Sequence, residues 1–122
     1  MMNTRLISLI FLLFCCTGVY LHAREAKSDA EIEFLLGYVE KSGAIFIRNG
    51  SDHTAKEGAD HLRDKLAQAG DRVKTAEDFI NGIATKSYLS GQPYLVKMKD
   101  GSTRPAGPWL LEALVAHRKT NQ

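Results

Sequence analysis

From residue 24 onward, the apolar positions fall into stretches of helical period separated by short stretches of strand period. Ile32, Leu35, Leu36 and Val39 recur at spacings of three and four, on one helical face. Ahead of them, Ser28-Asp29-Ala30-Glu31 has the letters of a capping box, in which the serine oxygen accepts from an early amide and the glutamate reaches back. Gly43 ends this helix. Residues 44–48 read as a short strand with Ile45, Phe46 and Ile47 as its apolar body. Asn49-Gly50 breaks it, because both residues tolerate positive φ. A second helix opens at Thr54, with Glu57 placed to complete another box. Ala55, Ala59, Leu62, Leu66 and Ala69 form its stripe, and Gly70 closes it. Thr75 caps a third helix whose core face is Phe79, Ile80, Ile83 and Ala84.

Residues 87–92 form a loop around Ser90-Gly91. Residues 93–99 alternate as a strand, with Tyr94, Val96 and Met98 on one side. Asp100-Gly101 marks a hairpin, and residues 102–104 give the return strand. Pro105 and Pro108 end that strand, and Pro108 suits the start of a last helix carrying Trp109, Leu110, Ala113, Leu114 and His117 inward. The order α-β-α-α-β-β-α does not alternate strictly. It therefore predicts an α+β fold, with four helices packed on a small antiparallel sheet. Gly37, Gly58 and Gly82 each interrupt a helical pattern, at about 1 kcal/mol each against alanine. Close backbone approach and simple surface tolerance both account for such glycines.

The N-terminus changes the picture. One basic residue, Arg5, precedes a nearly continuous apolar run over residues 6–21, and Ala23 offers a small residue before the charged Arg24-Glu25-Ala26-Lys27. That order is a secretory signal peptide. The run is shorter than the roughly 20 apolar residues that span a bilayer, and Phe14 ahead of Cys15 is unlike a lipidation signal. The expected organisation is therefore a cleaved signal over residues 1–23 and one globular domain over residues 24–122, exported to the periplasm with no stable membrane anchor after cleavage. Cys15 and Cys16 are the chain's two cysteines, so the mature domain is expected to be free of thiol and disulfide chemistry. Without Arg5 the balance is 15 basic against 14 acidic residues, which does not favour a nucleic-acid surface. A monomer is expected.

Candidate chemistry is sparse. His53, Glu57 and His61 are spaced four and four, which on one helix face would offer a divalent-metal set. Against this, His53 precedes the helix, Glu57 points away from the Leu62–Leu66 stripe, and Lys65 would repel a cation. A solvated Glu57–His61 side-chain pair is the expected arrangement, with no metal and no cofactor. Ser51-Asp52-His53 has the letters of a triad, but sequence neighbours do not converge as triad side chains must. In the loop Ser90-Gly91-Gln92-Pro93-Tyr94, glycine permits close approach, proline stiffens the chain, and Tyr94 or Tyr88 offers a ring to a partner. Packing of Tyr94 in the core is the plainer expectation, as it is for Trp109.

Phe46-Ile47-Arg48-Asn49-Gly50, His53-Thr54, His61-Leu62-Arg63, Lys65-Leu66, Thr75-Ala76-Glu77, Phe79-Ile80, Ser90-Gly91, Pro93-Tyr94 and Val96 together resemble the YfeK-like family of small exported bacterial proteins. The resemblance covers nearly the whole mature chain. It implies export to the periplasm and carries over no catalytic residue or cofactor. It directs attention to Asn49, Gly50, His53, His61, Ser90, Gly91, Pro93 and Tyr94 as a candidate binding surface. The expected function is a small binding or interaction module for a periplasmic protein or small ligand. The alternative is a small metal-assisted enzyme using His53 and His61.

Overall fold

A computed structural model describes residues 24–122. The signal-peptide reading, with Cys15 and Cys16, lies outside the described residues.

The first helix, α1, runs over Ala26–Lys41 and starts one turn earlier than the capping box would place it. Its N-cap is Glu25, which makes no side-chain cap bond. Ser28 is instead an internal, buried residue, and Glu31 is drawn to Arg118. A charged partner outcompetes the backbone for Glu31, because a charge-assisted fork is stronger than a neutral cap bond. Arg24 holds the start of the chain, with Nε donating to Val73 O at 2.8 Å and Nη1 to Asp29 at 2.9 Å.

Strand β1, Ile45–Arg48, turns back at Asn49 and Gly50 into β2, Ser51–His53. Both turn residues have positive φ, 51° and 76°, the backbone that a tight hairpin of right-twisted strands requires. The hydrophobic pattern does not predict this second strand. Ser51-Asp52-His53 has no apolar residue, and β2 is a sheet edge, so no alternation betrays it. Strand β3, Leu95–Lys97, pairs with β1 through Phe46↔Val96, and β4, Thr103–Pro105, pairs with β3. The sheet order is β2-β1-β3-β4, antiparallel throughout.

Helix α2, Ala55–Ala69, is capped by Thr54, whose hydroxyl accepts from Glu57 N at 3.1 Å. The returning half of that box is not formed, because the Glu57 carboxylate faces His53. Helix α3, Ala76–Gly82, has both halves of its box, through Thr75 and Asp78. Helix α4 runs over Ala106–Thr120, with Pro108 inside its first turn. The four helices pack on the antiparallel sheet in an α+β fold, and α1 lies chiefly against α2. Leu35, Leu62, Phe79, Ile83, Leu110 and Leu114 form the centre of the core. Of the three interrupting glycines, Gly58 is the one set by close approach: a Cβ there would meet Phe46 Cγ at 2.6 Å, whereas Gly37 and Gly82 face nothing within 4 Å.

Candidate functional site

The end of β1, one face of α2 and the segment leading into β3 meet at four polar side chains. Arg48 is the last residue of β1. His61 and Lys65 lie four apart on α2 and so share a face. Tyr94 comes in under them from the approach to β3, with its ring packed on Phe46.

His61 is held between Arg48 and Tyr94. Arg48 only donates, and its Nη1 lies 2.9 Å from His61 Nδ1. A ring nitrogen must therefore accept, as a neutral imidazole can, and Nε2 lies 3.3 Å from the same Nη1 and 3.1 Å from Tyr94 Oη. Burial first, then the charges of Arg48 and Lys65, hold His61 below the ordinary imidazole range, with Asp64 opposing them. Tyr94 Oη also accepts from Lys65 Nζ at 2.9 Å. Lys65 donates further to the carbonyls of Ile83 at 2.7 Å and Lys86 at 3.0 Å, and its ammonium lies 4.1 Å from the centre of the Tyr88 ring. Burial, helped by Arg48, pushes Lys65 down to about 8. Lys65 is 7% exposed and Tyr94 only 1%, so burial lifts the Tyr94 phenol while the Arg48 charge opposes the rise.

Beside this cluster the 87–92 loop is closed on itself, with Ser87 N donating to Gln92 O and Gly91 N to Ser87 O. Gly91 has φ +70°, which favours glycine there. Ser90 Oγ donates to Asn49 Oδ1 at 2.5 Å and accepts from Gln92 N, so the loop is tied to the β1–β2 turn. Tyr88 is 65% exposed although its hydroxyl donates to Gly82 O, and Leu89 is wholly exposed.

The eight candidate positions are thus only partly brought together. Asn49 meets Ser90, and His61 meets Tyr94. Gly50 and Gly91 are the exposed corners of the two turns, and Pro93 is exposed at a bridge to Lys86. Tyr94 is not a surface residue: it is core, as the plainer expectation held, and only its hydroxyl reaches the cluster. The expected Glu57–His61 pair does not form. Glu57 takes His53 at 3.3 Å, because His53 in the extended β2 reaches the first turn of α2, while His61 turns inward to Arg48 and Tyr94. Among the described residues no group of three or more His, Cys, Asp or Glu side chains is placed to hold a metal. Arg48 and Leu89 escaped the sequence reading. Arg48 carried no signal beyond ending a strand. Lys65 carried one, since it shares a face with both Leu62 and His61.

A concavity of about 490 Å³ lies away from this cluster, between α1 and the start of α4, lined by Phe34, Tyr38, Met98 and Trp109. Trp109 itself is core, as expected. Among the described residues no helix is long and apolar enough to cross a membrane.

No solved structure matches the chain. The uncharacterized protein YfeK of Salmonella typhimurium is 39% identical over 70 residues, covering 57% of this chain and 58% of that protein. The match thus spans less than two thirds of the relative, and it bears out the YfeK-like resemblance. The model of the Family of unknown function (DUF5329) matches residues 26–118, essentially the whole domain described here, and the chain belongs to that family.

Proposed function

We propose that the protein is exported to the periplasm, loses residues 1–23, and works there as a small monomeric binding module without catalysis. Its ligand face is the surface joining the Asn49–Gly50 turn to the Tyr88–Gly91 loop. The Ser90–Asn49 bond carries this reading: it ties the loop that holds an exposed leucine and an exposed tyrosine to the β1–β2 turn, beside a buried polar cluster. Apolar and aromatic groups held outward on a loop that is already tied down cost less to order on binding. The metal-assisted alternative has no such support, since His53 is engaged by Glu57 and a cation, Arg48, already faces His61.

The test compares mature protein from the periplasm with its Leu89→Asp variant, both immobilised and exposed to periplasmic extract. The expected result is a bound component retained by the first and lost from the second. Equal retention by both would remove the ligand face from this loop.

A further inference from the structure

The arginines of this domain differ in what they face. Arg24, Arg63, Arg104 and Arg118 each reach a carboxylate within 4.0 Å. Arg72 donates to two backbone carbonyls. Arg48 donates through Nη1 to a neutral imidazole, and among the described residues no carboxylate lies within bonding distance of it. Its Nε and Nη2, the two donors along one edge of the guanidinium, make no hydrogen bond among the described residues. Arg118 shows what that same edge takes when a partner is supplied: Nε and Nη2 grip the two oxygens of Glu31 at 2.7 and 3.0 Å. A planar fork of this kind matches a carboxylate or phosphate edge. Arg48 is partly exposed. It adjoins Asn49, which is bonded to Ser90, so it stands at the margin of the proposed ligand face. Lys65 adds a second positive charge close enough to perturb the same imidazole.

We infer that Arg48 seats an oxyanion group, a carboxylate or a phosphate, of a small ligand bound at this face. The inference rests on the placement of the ligand face above and names the chemistry it would recognise. His61 reports the event. It is faced by Arg48 from β1, His53 from β2, Tyr94 from the approach to β3, and Lys65 and Asp64 on its own helix. Neutralising Arg48 removes a positive field from the imidazole, so an anion seated there favours the protonated ring.

The experiment titrates the domain with acetate in one arm and inorganic phosphate in the other, at ionic strength held constant with chloride. It follows the Arg48 Nε–H and His61 ring resonances by NMR. The expected result is a saturable shift at Arg48 Nε–H, with the His61 midpoint moving up towards the ordinary value. The tighter arm identifies the oxyanion. Arg48→Gln should weaken binding about tenfold to a hundredfold, the worth of hydrogen bonds to a charged group, while Arg48→Lys, which keeps the charge but not the fork, should fall between. A thermal melt of each variant checks folding. Non-saturating shifts in both arms, or equal affinity in wild type and Arg48→Gln, would overturn the inference. Leu89→Asp separates it from the broader reading: a lost ligand face leaves the Arg48 titration intact, and a failed titration leaves the Leu89-dependent retention standing.

Discussion

Arg118 and Arg48 sit in clusters of opposite charge balance. Arg118 reaches from the last turns of α4 to Glu31 of α1 and Glu77 of α3, and so joins three helices far apart in sequence. Its hydrogen bonds hold the Glu31 carboxyl below the usual carboxylate range, against the burial that would raise it. Among the described residues no carboxylate pairs with Arg48, and Asp64 only partly offsets the positive charge at His61. A neutral histidine, a buried lysine pushed down to about 8 and a buried tyrosine surround it. Like charges held together without a counter-charge do not favour folding. The first cluster ties helices together, and the second gathers positive charge, which is the basis for proposing an anion at Arg48.

The largest effect is expected in the core beneath the Arg48 cluster. Leu62 is fully buried on α2 between His61 and Lys65. Leu62→Ala should cost about 2–5 kcal/mol, the range for a core leucine truncated to alanine. Urea melts measure it. A loss under about half a kcal/mol would mean that α2 is not seated on the core as described.

Arg118→Gln comes next. Glu31 has a side chain only 8% exposed and would be left without its fork. Breaking a buried pair costs about 3–5 kcal/mol, but Arg118 is 38% exposed and solvent screens it. The expected loss is therefore about 1–3 kcal/mol at neutral pH. The sign with pH follows from Glu31. Its folded pKa is depressed, so the stabilisation is present above the unfolded value of about 4.3 and fades as pH falls through the folded value. Melting curves of wild type and variant should converge on acidification. Curves that stay parallel would show that Arg118 contributes packing and no charge pairing.

How far these clusters could be read in advance depends on where their partners lie in the chain. The helices and the β3–β4 hairpin were legible because each carries its own signal: Leu35–Leu36–Val39 at helical spacing, Tyr94 and Val96 alternating, glycine at the turns. The α+β class followed. The Ser28–Glu31 box misled because local spacing is blind to a competitor 87 residues away, Arg118. The candidate site was half legible for the same reason. Asn49, Ser90, His61 and Tyr94 stood out as turn and ring residues. Their pairing across 41 and 33 positions, and the guanidinium that completes the cluster, are set by the β1–β3 register, which no local pattern encodes.

The smallest expected effect draws the sharpest line between the two arginines. Arg48→Gln keeps a hydrogen-bonding group opposite His61 and removes the positive charge that helps depress both Lys65 and His61. Lys65 should then hold its proton above its present value of about 8, and His61 should titrate closer to its ordinary range. As pH falls just below about 6.5, His61 should cost the wild-type domain stability, because the unfolded chain protonates this histidine before the folded one does. In Arg48→Gln that acid-side loss should be smaller. At neutral pH the relief of repulsion offsets the lost contact, and stability should change by less than about 1 kcal/mol in either direction. Urea melts at pH 7 and pH 5.5 test both points. A drop at pH 7 as large as that of Arg118→Gln would make Arg48 a structural clamp as well. A near-neutral change together with lost oxyanion binding would fix it as a residue retained for the ligand.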